Sequence, residues 1–129
     1  MLKITFCLRR RPDLTPEQFD AYWCDRHAPL VRKHARVLRI ARYVQSTRLE
    51  SDLAGIAATV RGAPEPFDGV AELWFRSRED FQAGFATVEG RAAGKELLAD
   101  EKHFIDLKAS PIWVSSEREI ITQGEAVDA

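Results

Sequence analysis

Cysteine is scarce in this 129-residue chain, with only Cys7 and Cys24. The two do not form a C-x-x-C pair, which excludes a disulfide framework and a zinc ribbon. Free thiols of this kind fit a cytoplasmic protein. Long apolar runs are missing as well. Nothing approaches the ~18 apolar residues that a membrane span requires. The apolar start, Met1-Leu2-Lys3-Ile4-Thr5-Phe6-Cys7-Leu8, is cut by Arg9-Arg10-Arg11 and is too short for a secretory signal. No membrane partner is expected. There is no P-loop, no G-x-G-x-x-G after a strand and no G-x-S-x-G elbow, so phosphate-cradling and serine-hydrolase chemistry are not expected either. The three histidines lack H-x-x-x-H or H-E-x-x-H spacing. His34 follows His27 by about 10.5 Å along a continuous helix, too far for one shared ion. We therefore expect no metal and no cofactor.

Net charge is also nearly absent, at −1, but it is unevenly distributed. Residues 1–48 carry +7 and residues 49–129 carry −8. That asymmetry can mark a nucleic-acid surface, or it can reflect self-complementarity within the fold or between two copies.

What the chain does have is the composition of one globular domain. Its 14.6 kDa, 45% hydrophobic and 30% charged residues suffice for a core without disulfide or metal support. Leu2, Ile4, Phe6 and Leu8 alternate with Lys3, Thr5, Cys7 and Arg9, the period of a half-buried strand. Thr15, Pro16 and Gln18 read as a capping box opening a helix at Pro16. Pro29 interrupts that helix, because it cannot donate to the carbonyl of Asp25, so a kink or restart is expected around His27.

Residues 39–48 read as a second strand. Leu49, Leu53, Ile56 and Val60 read as a short amphipathic helix ending at Gly62. Asp68-Gly69 turns into a third strand over residues 70–75, and Ser77 caps a helix over about 78–88 with Asp80 in its first turn. A further helix over residues 91–102 follows Gly90. Residues 112–116 form the last strand, which Ile120-Ile121 either continue or leave to pack on a partner. We place the domain at residues 1–121 and a frayed tail at 122–129. The order predicts an α+β fold: a ferredoxin-like split βαβ with a four-stranded antiparallel sheet and helices on one face. The other face, expected to carry Trp74 and Tyr43, should be covered by a second copy.

Several segments together resemble one family. They are Arg11-Pro12-Asp13-Leu14-Thr15-Pro16-Glu17-Gln18-Phe19, Tyr22-Trp23, His27-Ala28-Pro29-Leu30-Val31, Asp68-Gly69-Val70-Ala71-Glu72-Leu73-Trp74-Phe75, and Ala99-Asp100-Glu101 through Phe104-Ile105-Asp106. In this order and spacing they resemble the EthD family, named for ethyl tert-butyl ether degradation. The resemblance implies a dimeric α+β barrel of two ferredoxin-like protomers. It also implies a small-molecule enzyme among relatives that include cofactor-free monooxygenases, lactone isomerases, polyketide cyclases and dehydratases or decarboxylases. Where many relatives resemble Tyr-Val-Gln-x-His, this chain reads Tyr43-Val44-Gln45-Ser46-Thr47. A second imidazole is missing there, which leaves a single-histidine mechanism open.

His27 is the leading catalytic candidate. It sits at the predicted kink, and its pKa near neutrality suits proton transfer. Capping free carbonyls at the kink is its alternative role. Asp100 could orient His27 or receive its proton, provided the fold brings them together; a solvated helix end is the alternative. Glu72 should share a face with Val70 and Trp74, with a raised pKa or a partner such as Lys3. Tyr22, Trp23, Tyr43, Trp74 and Phe104, with Gln45 as neutral donor and acceptor, could line a site for a small hydrophobic or aromatic ligand. At least two of the five aromatics should be ordinary core. Cys7 and Cys24 have no activating neighbour beyond Arg9 and His27, so a covalent thiol mechanism is not expected.

Residues 68–75 place Val70 and Glu72 where an RNA-binding sheet would need stacking rings, so no nucleic-acid partner is expected. The resulting expectation is a cofactor-free acid/base lyase or isomerase of dehydratase, decarboxylase or cyclase type, working as a homodimer on an aromatic or polyketide-like compound. A cofactor-independent monooxygenase and a non-catalytic binding or accessory protein are the alternatives.

Overall fold

Leu2, Ile4, Phe6 and Leu8 occupy one face of the first strand, β1 (Leu2–Leu8), and that face is the one the helices cover. This is a computed structural model, and it describes residues 1–49, 52–122 and 124. After β1 the chain runs through α1 (Pro16–Tyr22), a π-helical turn (Trp23–His27) and α2 (Ala28–His34). It continues with β2 (Arg42–Thr47), α3 (Asp52–Thr59), β3 (Gly69–Phe75), α4 (Arg78–Ala86), α5 (Val88–Glu101) and β4 (Ile112–Ser116). The sheet order is β2-β3-β1-β4 with every pairing antiparallel. This is the ferredoxin-like α+β arrangement. Residues 123 and 125–129 of the expected tail lie outside the described residues.

Local chemistry sets the helix ends. Thr15 accepts from the Gln18 backbone N–H, and Gln18 accepts in return from the Thr15 N–H, which closes the capping box. Ser77 caps α4 by accepting from the Asp80 N–H at 3.0 Å. The break between α4 and α5 falls at Thr87, which caps α5 by accepting from the Gly90 N–H; it does not fall at Gly90 as the sequence suggested. Gly90 serves a different need. A Cβ there would meet the Gly84 carbonyl oxygen at 2.2 Å, so only glycine lets α5 cross α4 this closely.

Pro29 acts as expected on the first helical segment. With no N–H at residue 29, the ladder widens by one residue, and the Ala28 N–H reaches back five positions to the Trp23 carbonyl. The helix resumes at Ala28 with Pro29 in its first turn.

Phe6, Leu8, Phe19, Trp23, Ala71, Phe104 and Ile105 form the core between sheet and helices. Trp23 packs against the start of β3. A Cβ on Gly69 would sit 2.5 Å and 2.8 Å from two Trp23 ring carbons and 3.1 Å from the Ser46 carbonyl oxygen. Trp23 is only 1% exposed and has no room to yield. Gly69→Ala should therefore cost about 1–3 kcal/mol through overpacking. Urea unfolding measures this directly, and an unchanged midpoint would contradict the packing described.

The register corrects one expectation. Tyr43 pairs with Leu73 and Gln45 with Ala71 on the helix-covered face, whereas Arg42 pairs with Trp74 and Val44 with Glu72 on the open face. Tyr43 and Trp74 thus lie on opposite faces, because side chains alternate and residue 42, not 43, opposes Trp74. Trp74 is itself buried at 6%. The Arg42 guanidinium lies 4.4 Å from its ring centroid, the Lys3 ammonium lies 5.5 Å away, and its indole N–H donates to Glu117 at 2.6 Å. Ile120 and Ile121 are exposed and do not extend β4.

Candidate active site

The π turn carries His27 on the underside of the helix layer, where it is 6% exposed. Its ring packs on Phe104 with centroids 5.0 Å apart. Its Nδ1 lies 2.7 Å from Asp100 Oδ2, in the last turn of α5. The other Asp100 oxygen accepts from the Tyr22 hydroxyl at 2.6 Å. One carboxylate therefore gathers a phenol from the end of α1 and an imidazole from the π turn. A carboxylate at Nδ1 selects the tautomer with the proton there and leaves Nε2 as the basic nitrogen. Nε2 has no hydrogen-bond partner among the described residues, none of which contains a fully buried, unpartnered side-chain nitrogen or oxygen. Nε2 therefore stays reachable from outside.

β2 supplies the facing wall. Gln45 donates from Nε2 to the Trp23 carbonyl at 3.0 Å and to the Tyr43 hydroxyl at 2.9 Å. The Trp23 carbonyl belongs to the widened turn, so Gln45 ties the π turn to the sheet. Because the Tyr43 oxygen already accepts from Gln45, its own proton is left to donate elsewhere.

Charge at the site is finely divided. Burial pulls the His27 pKa below 6.5 against the opposing hydrogen bond and charge of Asp100, so the ring is neutral at pH 7. Burial works to raise the Asp100 carboxyl, but hydrogen bonds from Tyr22 and His27 and the charges of His27 and His103 hold it below 3.8. The Tyr22 hydroxyl is pushed up to about 12 by burial and by its bond to Asp100. Burial also raises Tyr43.

Both His27 and Asp100 release their protons more readily in the folded state. Their contributions to stability are complete above 6.5 and 3.8 respectively and are lost as pH falls through the lower folded values. Melting temperature should therefore decline on acidification below about 4, where Asp100 takes up its proton, while between about 4.5 and 7 the loss from His27 is opposed by the raised carboxyl of Glu101. Asp100→Asn should remove the decline below about 4, and a melting series across pH on both proteins checks it.

Of the residues singled out from the sequence, His27, Asp100, Tyr22, Trp23, Tyr43, Gln45 and Phe104 are brought together on the helix side of the sheet. Within that group Trp23 and Phe104, 1% and 0% exposed, are core. Glu72 and Trp74 lie across the sheet on the open face, where Lys3 bonds Glu72 at 2.9 Å. Glu101, which the sequence reading did not single out, follows Asp100 as the last residue of α5. Burial, reinforced by the neighbouring Asp100 charge, pushes its carboxyl up to about 7. The clue available in sequence was its place next to Asp100, although adjacent helical residues ordinarily point about 100° apart.

A cavity of about 160 Å³ opens between the start of α1 and the end of β2, against Phe19, Thr47 and Asp68. A larger groove of about 760 Å³ runs past Lys3, Arg42 and residues 115–119. No group of three or more His, Cys, Asp or Glu side chains among the described residues is placed to hold a metal ion. No described helix is long and apolar enough to cross a membrane.

Comparison with known proteins decides the family, since the EthD domain model matches residues 11–108. The chain belongs to the EthD family. No curated protein matches it. An EthD-family protein from Bacillus halodurans is similar, at 23% identity over 92% of this chain and 99% of that one, with a TM-score of 0.60. A dimeric ferredoxin-like protein of unknown function from Bacteroides fragilis shares the fold at 11% identity, 90% and 95% coverage and a TM-score of 0.56. SnoaB, a cofactor-independent oxygenase from Streptomyces nogalater, also shares the fold, at 16% identity, 95% and 98% coverage and a TM-score of 0.51. The fold is thus a recurrent one.

Proposed function

We propose that this EthD-family chain is a cofactor-free acid/base enzyme, a lyase or isomerase of dehydratase, decarboxylase or cyclase type. It acts on a small aromatic or polyketide-like compound as a homodimer. The observation that carries this reading is the Asp100-held His27, whose Nε2 has no partner within the described protein. The neutral ring takes a proton from substrate at Nε2. The imidazolium that forms is met by the Asp100 carboxylate at Nδ1, which Tyr22 holds in place. Tyr43 donates to a carbonyl oxygen on which charge develops, and Gln45 aligns it. Tyr22 and Tyr43 offer the flat apolar walls an aromatic ring prefers.

The homodimer reading is supported by the open sheet face, where Trp113, paired with Thr5, is 47% exposed, and by the dimeric neighbour of the same fold. Light scattering should give about twice 14.6 kDa; a stable monomer at micromolar concentration would contradict it. A cytoplasmic location is the matching proposal from the free thiols of Cys7 and Cys24.

One observation favours a second reading, since the fold is shared with a cofactor-independent oxygenase. Incubation with a panel of aromatic ketones and hydroquinones, with and without dioxygen, separates the two. Turnover in strictly anaerobic buffer supports the acid/base enzyme, and turnover that stops without dioxygen supports the oxygenase. Tight binding with no conversion under either condition makes the chain a binding protein.

A further inference from the structure

The strand pairings lay one row of side chains across the open face of the sheet, Arg42 on β2, Trp74 on β3, Lys3 on β1 and Ser115 on β4. Arg42, Lys3 and Ser115 of that row line the groove of about 760 Å³, together with Met1, the end of β4 and the segment that leaves it through Glu119. Some of its charges are settled. Lys3 bonds Glu72 at 2.9 Å and lies 3.8 Å from Glu117, which accepts from the Trp74 indole at 2.6 Å. Two others are not. The Arg42 guanidinium sits 4.4 Å from the Trp74 ring centroid, and neither it nor the Glu119 carboxylate has a hydrogen bond or ion pair among the described residues. Apolar surface collects at the same place, since Met1, Ile120 and Ile121 are each more than half exposed.

We infer that residues 117–121 of each protomer lie in the groove of its partner, with Glu119 paired to the partner's Arg42 and, by the two-fold, Arg42 paired to the partner's Glu119. The inference rests on the homodimer reading and adds to it the segment that crosses and the charges that meet. A sheet face packed on a second sheet buries what it carries, and a guanidinium buried without a counter-charge is strongly unfavourable. A two-fold contact must also be complementary to itself. One spare cation and one spare anion in a single groove meet both demands, because each finds the other on the second copy.

The charge pattern of the chain agrees. Arg42 belongs to the part that carries +7 and Glu119 to the part that carries −8, so the basic part of one copy meets the acidic part of the other. Ile120 and Ile121 neither extend β4 nor find cover on their own protomer, and the partner's Met1 offers them apolar surface in the groove. A free anion is a poorer occupant. Lys3, Arg42 and Arg118 are balanced there by Glu117, Glu119 and the Lys3-bound Glu72, which leaves no net charge to hold it.

The test is a dilution series by analytical ultracentrifugation at low ionic strength, where screening is weakest, on wild type, Arg42→Glu, Glu119→Arg and Ile120→Asp. Each charge reversal sets like charges together at both symmetric contacts, so each alone should raise the dimer dissociation constant by about 100-fold or more. Ile120→Asp should raise it by about tenfold or more. Mixing the Arg42→Glu and Glu119→Arg proteins should restore the dimer. In the mixed pair the two substituted residues meet at one contact and the two native residues at the other, and native mass spectrometry tells this dimer from either homodimer. Glu119 and Ile120 are exposed and lie outside every described helix and strand, so changes there act on the contact and not on the fold. These two variants decide the matter if Arg42→Glu does not fold. A wild-type dimer that both leave as tight as before would overturn the inference and leave the homodimer reading standing. Rescue only when both charge reversals are in one chain, and not on mixing, would place the pair within a protomer and overturn it too. A wild-type monomer would overturn the homodimer reading and this inference with it.

Discussion

Replacing His27 with alanine should lower turnover by about 100-fold or more, the usual scale for a positioned acid or base. The structure adds a stability cost to that expectation. His27 is buried against Phe104 and closes one side of the Asp100 network, so its removal leaves a hole and a carboxylate short of one donor. A loss of about 1–3 kcal/mol is the matching expectation. The two effects separate when rate and melting curve are taken on one sample. If His27 only fills space, activity falls no further than the folded fraction. If it moves a proton, the folded variant itself is slow. Imidazole added to the folded variant should then recover part of the rate, because the ring is supplied back to the space it left. Full activity in a folded His27→Ala protein would assign the histidine to packing.

Phe104→Ala should have the largest effect on stability, about 3–5 kcal/mol. Phe104 is completely buried and sits at the centre of an aromatic cluster, with ring centroids 5.7 Å from Phe19, 5.1 Å from Tyr22 and 5.0 Å from His27. Truncation opens a cavity that these rigid rings cannot collapse to fill. It also removes the surface on which His27 and Tyr22 rest, so the rate should fall in the fraction that remains folded. Phe104→Leu, which keeps most of the volume, should cost less than half as much. A denaturant series on both variants checks the ratio. A Phe104→Ala loss below about 1 kcal/mol would contradict the packing.

Much of this architecture was legible because its signals are local. The alternation in β1, the Thr15–Gln18 box, the Ser77 cap and the missing N–H of Pro29 each act within a few residues of themselves, and each led to the element it produces. The faces of β2 were not legible. Both Tyr43 and Val44 are plausible inward residues, and only the pairing of Arg42 with Trp74 decides between them. Gly90 looked like a helix break because glycine often is one, whereas the close approach of α4 that requires it depends on tertiary contact.

The site divides along the same line. His27 and Asp100 were recognisable one by one, but 73 positions separate them, and nothing local announces that their side chains meet. Glu72 was expected to share a face with Trp74, with either a raised pKa or a partner such as Lys3; it does share that face and bonds Lys3, but the sheet separates the face from His27. Glu101 escaped notice because the burial that pushes its carboxyl up comes from tertiary packing, which no sequence pattern records.

Nitrogen-15 NMR of the histidine rings at pH 7 tests the central claim most directly. His27 should appear as the neutral ring with its proton on Nδ1 and a bare Nε2, and Asp100→Asn should shift the Nδ1 signal. A proton on Nε2 with Nδ1 bare, or a fully protonated ring at that pH, would contradict a neutral base held by Asp100 and aimed at substrate.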